Sequence, residues 1–248
     1  MTLLYDEKDR PSDSPLVDAI MYGCTLSSGT TIRPAECQWH MCVARHAGGA
    51  QVFVVGPLTT SGTATFIKGA ELLWIKFRLG TFMPHLPARD ARDTETILPG
   101  ASSRSFWLQG SAWAFPDYEN VDTFVDRLTR AGVLAWDPVV EAALLDQPDA
   151  LPARTVRHRF QHTTGLTRSH IWQVERAKRA ASLLRQGTPI LDTVHAAGYF
   201  DQPHLTRALK QWIGHTPAQL WRQSAPACRS VQDSAPAPDY HTNVLAEG

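Results

Sequence analysis

The spacing of apolar residues along the chain changes part-way. From about Val17 to Leu108 they come mostly in short strand-like runs. QWHMCVARH (38–46) and QVFVVG (51–56) flank Ala47-Gly48-Gly49-Ala50, the pattern of a β-hairpin. Further runs are TATFIKG (63–69), LLWIKFRLG (72–80) and RSFWLQGS (104–111). In the second of these, Leu73, Ile75, Phe77 and Leu79 alternate with Trp74, Lys76 and Arg78, which predicts a strand with one covered face. Pro84, Pro87 and Pro99 punctuate the connections. Many short strands with Gly/Pro turns predict a mainly-β region built as a small barrel or sandwich. Residues 1–15 are polar and are expected to be loosely held.

After Pro116-Asp117 the period lengthens to that of helices. Asn120 is placed to cap a helix burying Val121, Phe124, Val125 and Leu128, which Gly132 stops. Asp137-Pro138 opens another through Leu145, and a proline-containing connector runs from Gln147 to Pro152. In ARTVRHRFQHT (153–163), Val156 and Phe160 lie four apart and face a core, while Arg154, Arg157, His158, Arg159 and His162 spread around the rest. Gly165 ends that helix and Thr167 caps a long one, Arg168 to Gln186, burying Ile171, Val174, Ala177, Ala181 and Leu184. Its expected span is about 28 Å, close to the ~34 Å between successive major grooves on one side of a DNA duplex.

The segment from Thr188 to Arg222 carries the clearest local signals. Gly187 suits a positive φ, Thr188 an N-cap and Pro189 a first helical position. The helix they begin is expected to bury Ile190, Leu191, Val194 and Ala197, and Gly198 breaks it. Asp201 caps the next helix, with Pro203 in its first turn. That helix buries Leu205, Ala208, Leu209 and Trp212 and presents Gln202, His204, Thr206, Arg207 and Lys210 on its other face. Gly214 ends it, and Thr216-Pro217 opens a short return through Leu220 and Trp221. Two helices on a tight glycine turn form a helix-turn-helix, whose second helix enters the DNA major groove. The pattern alone also fits a helical hairpin with a solvated polar face.

Charge decides between these. The whole chain is neutral, with 24 Lys/Arg and 24 Asp/Glu. Residues 151–222, however, hold 11 Lys/Arg against 3 Asp/Glu and six of the ten histidines, whereas residues 1–150 hold 12 against 18. A basic segment joined to an acidic one is the electrostatic footprint of a protein that grips a polyanion. The expected architecture is α+β in two domains: a mainly-β unit with trailing helices over 1–135, a connecting helix and linker over 136–150, an all-α double helix-turn-helix over 151–223, and a disordered Ala/Pro/Ser-rich tail over 224–248.

Residues 151–222 resemble the DNA-binding domain of AraC/XylS-type transcription regulators. ARTVRHRF followed by GLT is similar to the family's first recognition helix and the turn after it. ERAKRAASLL is similar to its linker helix, and ILDTVHAAGYFDQPHLTRALKQWIGHTP to its second helix-turn-helix. Family members have a scanning helix shortly before the first recognition helix. Here the nearest candidate, Pro138 to Leu145, is followed by a longer connector with Pro148 and Pro152, so the first helix-turn-helix is expected to be shortened or irregular. The resemblance implies an activator or repressor that binds promoter DNA, with residues 1–135 as a companion that senses a small-molecule effector or forms a homodimer, in many relatives a cupin-like β-barrel. An activator would also meet RNA polymerase. On this reading Arg154, Arg157, Arg159, Arg207 and Lys210 meet DNA, and His158, Gln202, His204 and Thr206 read base edges.

Other classes fare less well. Cys24, Cys37, Cys42 and Cys228 show no C-x2-C spacing, so neither a zinc site nor a redox pair is indicated, and scattered thiols fit a reducing cytosol. The first residues turn charged at once, unlike a secretory leader, and no apolar run approaches the ~20 residues of a membrane helix. The expected setting is therefore cytoplasmic, on the nucleoid, without membrane contact. A metal enzyme would use His40, His46 and His85 with Glu36 or Glu71, but the H-x-H spacing of a metal-binding barrel is absent. No G-x-S-x-G motif is present, and no cysteine sits in the setting a DNA-repair transferase needs. No catalysis, metal or cofactor is expected. For the β domain two readings stay open: a ligand pocket lined by His40, Trp74, Trp107 and Trp113, or a module that only dimerises or binds another protein, with the tryptophans as core.

Overall fold

A computed structural model describes residues 8–147 and 151–223. The β domain opens with β1 (Lys8–Arg10), β2 (Val17–Cys24), β3 (Gly29–Arg33), β4 (His40–His46), β5 (Gly49–Val55), β6 (Gly62–Phe66), β7 (Glu71–Phe77) and β8 (Thr81–Phe82). A single-turn helix α1 (Ala88–Ala91) leads to β9 (Glu95–Leu98), β10 (Gly100–Ser102), β11 (Ser105–Leu108) and β12 (Ser111–Ala114). Helix α2 (Val121–Arg130), strand β13 (Ala135–Trp136) and helix α3 (Pro138–Leu144) follow. The C-terminal unit is α4 (Ala153–Thr164), α5 (Arg168–Arg185), α6 (Ile190–Ala196), α7 (Gln202–Trp212) and α8 (Pro217–Gln223). This is the α+β, two-unit arrangement that the periodicities predict.

The main sheet has six antiparallel strands in the order β1-β2-β7-β4-β5-β9. Its order runs from edge to edge with no closing pair among the described residues, so it is an open sheet and not the closed barrel of a cupin. Alternation along each strand separates two faces. Ile20, Met41, Val43, Val52, Val54, Leu73, Ile75 and Phe77 point into one core. There they meet Val121, Phe124, Val125 and Leu128 of α2, together with Phe106, Leu108 and Trp113 from the β11–β12 hairpin. The hairpin turns at Gln109-Gly110, both at positive φ, inside a stretch whose composition reads as one continuous strand. Asn120 does precede α2, but its side chain accepts from Asp117 N–H instead of capping the helix. The N-terminal segment is also better held than its polarity suggests: β1 pairs with β2, and Arg10 binds Asp122 and the Tyr118 carbonyl.

The opposite face of the sheet is covered by its own chain. Strands β4 and β5 form the expected hairpin, and β3 pairs with β6 in the same register, so that His40 lies opposite Val55 and Gly29 opposite Phe66. A bridge between Glu36 and Leu58, slipped by one residue, joins the two halves. Residues 29–66 are thus one long ribbon that bends at 34–39 and 56–61 and folds its distal half back over the sheet. Pro34 and Pro57 lie at the bend, where they remove ladder donors. Gly56 has no room for a side chain, because a Cβ there would collide with the Ala91 carbonyl of α1. Between ribbon and sheet lies a cavity of about 530 Å³.

A second core lies among the C-terminal helices. Phe160, Ile171, Val174, Ala177, Ala181, Leu184, Leu205, Leu209, Trp212 and Leu220 are buried together, and Ala35 and Cys37 from the ribbon bend and Val140 from α3 join them. The two units therefore share a core at the bend. The expected tail, 224–248, lies outside the described residues, as does Cys228.

Candidate nucleic-acid interface

Helix α7 is built as its sequence predicts. Asp201 caps it by accepting from His204 N–H at 2.7 Å, and Leu205, Ala208, Leu209 and Trp212 are buried. The glycine turn before it, with Gly198 at φ 67°, sets it across α6. Helix α6 differs in two details. Its N-cap is Pro189 with no side-chain cap, not Thr188, and Leu191 is 64% exposed where burial was expected. With only seven residues, α6 docks a narrow stripe centred on Thr193 and Val194 and turns Leu191 outward.

The C-terminal end of α7 is tied to the β domain. The last carbonyls of a helix lack partners within it. Here Ala35 N–H donates to Trp212 O at 2.7 Å, Ser61 N–H to Gln211 O at 2.8 Å and Ser61 Oγ to Lys210 O at 3.0 Å. All three come from the ribbon bend. Gly214, at φ 81°, has no room for a Cβ beside Ile32 and Ser61. Nearby, Lys178 of α5 donates to Glu36 at 2.5 Å, and Lys76 lies 3.4 Å from the same carboxylate. Burial alone would raise the Glu36 pKa, but Lys178 and Lys76 outweigh it and hold the carboxyl below its ordinary range. The N-terminal half of α7 stays in solvent, with Gln202 and Arg207 exposed. His204 is half-buried, its ring edge-on to Tyr199 at 5.1 Å. Thr206 is half-buried too, its hydroxyl donating to Gln202 O at 2.9 Å.

Helix α4 is seated differently. It starts after Pro152 without a side-chain cap and packs against α3, α1 and β8. Helix α3 precedes α4 in the chain and packs against it. Asp137, the N-cap of α3, accepts from Val139 N–H and from Arg159 through both oxygens, at 2.6 and 3.0 Å. Arg159 is thus paired at the joint between the units, unlike the other arginines expected to meet DNA. Arg154, Arg157 and His158 remain exposed, His158 stacked on His162, which in turn packs edge-on to Phe82.

The rod between the two is unbroken. Helix α5 runs 18 residues with Thr167 capping it and Ala180 fully buried, a length of about 27 Å. Its cations are largely spent on packing. Arg176 lies over Trp172 and Tyr199, Arg168 pairs with Asp146, and Lys178 with Glu36 and Glu175. Arg154, Arg157, Arg207 and Lys210 make no ion pair among the described residues. Cations on the two outward faces are unneutralised, while those at the joints are paired.

Residues 150–223 match the family model of a helix-turn-helix domain. The C-terminal unit is a helix-turn-helix domain of the AraC/XylS type. Its presence makes the chain a DNA-binding transcription regulator. No curated protein and no solved structure matches the chain. Within the AraC/XylS-type domain, sequence reasoning passed over Phe200, which stands 91% exposed in the turn before α7. Its place in the Gly-Tyr-Phe-Asp turn was the available signal. It also missed the partners that fix the domain to the β unit, Asp137, Glu36 and Ser61. These contacts join residues far apart in the chain and leave no local pattern.

Of the four aromatic and histidine candidates in the β domain, His40 and Trp74 line the cavity together, rings 6.1 Å apart. The other two do not. Trp113 is core, its Nε1 donating to Leu108 O, and Trp107 is 47% exposed on the β11–β12 hairpin. Composition marks all four alike, and only the direction of each strand face separates them. No group of three or more His, Cys, Asp or Glu side chains able to hold a metal converges among the described residues. No helix among them is long and apolar enough to cross a membrane.

Proposed function

We propose that the chain is a sequence-specific transcriptional regulator that places α4 and α7 in successive major grooves of promoter DNA and answers to a ligand sensed by its β domain. The observation that carries this reading is the distribution of unpaired cations. Arg154 and Arg157 on α4, and Arg207 and Lys210 on α7, are exposed without ion-pair partners among the described residues, on helices that precede and follow a continuous α5 in the chain. Phosphate contacts supply affinity and base contacts supply specificity. The arginines and Lys210 suit the first role, and Gln202, at the exposed start of α7, suits the second, with His158 beside them on α4. Thr206 and His204 are partly spent on their own helix and turn, so they contribute less.

The sensing half of the proposal rests on the ribbon bend. Pro34, Glu36 and Leu58 of the bend wall the cavity, and Ala35 and Ser61 of the same bend hold the end of α7. A ligand that favours one ribbon curvature would therefore bias the placement of the recognition helix.

Fluorescence anisotropy with the full chain and promoter fragments selected from genomic DNA tests the DNA-reading half. About six phosphate contacts give a slope of log K against log salt of roughly −5. A slope near zero, or equal affinity for selected and scrambled duplexes, would remove the reading.

A further inference from the structure

The cavity under the ribbon is selective in a way its lining makes explicit. Its walls are mainly apolar: Met21, Phe53, Leu72 and Trp74 from the sheet, Ile32 and Phe66 from the ribbon. The charged groups at its edge are already neutralised, Arg33 by Glu95 and Glu36 by Lys76 and Lys178. No spare charge is left to receive an ionised ligand, which would have to shed its hydration without compensation. One polar group stands apart. His40, 9% exposed, lines the cavity, and its Nε2 has no hydrogen-bond partner. Burial holds the imidazole neutral, with its pKa lowered to about 4. Buried polar groups are almost always paired, so an imidazole without a hydrogen bond in the wall of an apolar cavity marks a place where a ligand can supply the partner.

We propose that this cavity is the effector site and that it takes an uncharged, largely apolar small molecule whose hydroxyl or carbonyl group pairs with the His40 imidazole. The inference rests on the β domain being a sensor and names what it senses. The edge of Trp74 against His40 fixes the ring, so the polar group of the ligand has one place to go. The apolar body then lies between Phe53 of the sheet and Phe66 of the ribbon, wedging the two apart.

Three molecules on one skeleton test this by equilibrium dialysis of the full chain at pH 7: 2-naphthol, naphthalene and 2-naphthoate. The expected order is 2-naphthol tightest, naphthalene about tenfold weaker for the lost hydrogen bond, and the carboxylate weakest. His40→Leu should bring 2-naphthol down to naphthalene. His40→Gln, which keeps a polar partner, should preserve part of the difference and serves if the leucine variant does not fold. Ala44→Phe, on the cavity face of β4, should abolish binding of all three. The proposal fails if 2-naphthoate binds as well as 2-naphthol, if the naphthol preference survives His40→Leu, or if none of the three is retained. Promoter affinity separates this from the sensor reading. Binding of 2-naphthol in the expected order with no change in promoter affinity upholds the site and overturns sensing. A promoter affinity altered by Ala44→Phe, with the ligand order wrong, upholds sensing and overturns the ligand class.

Discussion

The two helices proposed to enter DNA are held in place by different means. Helix α7 has a cap, a buried stripe and a stop within its own stretch of sequence, and the β domain adds only the bonds at its C-terminal end. Helix α4 has no side-chain cap, and its seat is made by α3, α1 and β8, with Asp137 taking one of its arginines. One element carries its geometry locally, and the other borrows it from residues far away in the chain. On the proposed reading, a helix of the first kind keeps its own shape whichever way the β domain lies, although its placement follows the ribbon bend. A helix of the second kind would read DNA only while the unit that seats it stays docked.

The strongest way to break that contrast is at the seat itself. Gly165 ends α4 at φ 68°, and a Cβ there would stand 2.7 Å from the Ala88 carbonyl of α1. Gly165→Ala adds the cost of a left-handed L-residue, about 1–2 kcal/mol, to a clash with backbone that cannot swing aside. The expected destabilisation is about 3 kcal/mol, read as a drop in the urea midpoint. Gly198 also lies at positive φ, 67°, but with open space around it, so Gly198→Ala should cost only the first part. Equal losses at the two glycines would mean that the approach of α1 to α4 does not matter.

Asp137→Ala comes next. It removes the α3 cap and leaves Arg159 without its carboxylate. Because Arg159 is 40% exposed, solvent compensates part of the pair, and the sum is about 2 kcal/mol. A double-mutant cycle with Arg159→Ala measures the pair. A coupling indistinguishable from zero would place the cost in the cap alone.

Smaller effects are expected on DNA. Arg207→Ala should weaken promoter binding by at least about 1 kcal/mol with the fold intact, and Arg154→Ala by less. The difference sharpens in the Asp137→Ala background. If α4 depends on its borrowed seat, Arg154→Ala should then add almost nothing, while Arg207→Ala keeps its full cost. Additivity at both positions in gel-shift titrations would show that the two helices are equally autonomous.

The same contrast separates the features that are legible in the sequence from those that are not. The caps at Asp201 and Thr167, the turns at Gly165 and Gly198, and the buried stripes of α2, α5 and α7 are set by neighbours within a few residues, so the pattern contains them. The β4–β5 hairpin is legible for the same reason. The ribbon bend is not, because its two halves meet through a slipped bridge between Glu36 and Leu58, and neither residue has a distinctive context. At the interface, the exposed arginines follow from charge, whereas the diversion of Arg159 depends on Asp137 lying beside it in space, 22 residues away in the chain. In the cavity, His40 and Trp74 share a face with Cys42 and Leu72, but nothing in composition separates them from Trp107 and Trp113.

The smallest effect concerns the clasp on the α7 side. Burial raises the pKa of Glu36, but Lys178 and Lys76 overcome that and leave it low. Burial lowers that of Lys178, but Glu36 and Glu175 overcome it and leave it high. A carboxyl lowered by folding contributes stability that is complete above its unfolded value of about 4.3 and is lost as pH falls through the folded one. A lysine raised by folding contributes stability that is complete below about 10.4 and is lost as pH climbs through its folded value. The clasp is therefore whole across neutral pH and fails at both extremes. Glu36→Gln should lower stability by about 1 kcal/mol at pH 7, a modest figure because the pair is partly solvated. The gap from the parent should close toward strong acid, and close again at strong alkali. His40, neutral with a value near 4, sets a slope below about 6.5 in both proteins, and because Glu36 raises its pKa, that slope is part of the measured gap until Glu36 is itself protonated. Thermal melts of the two proteins from acid to alkali measure that gap directly. Because the clasp joins the ribbon to α5 next to the α7 joint, Glu36→Gln should also leave the Arg159–Asp137 coupling at α4 unchanged. A coupling that moved with it would mean that the two seats are one.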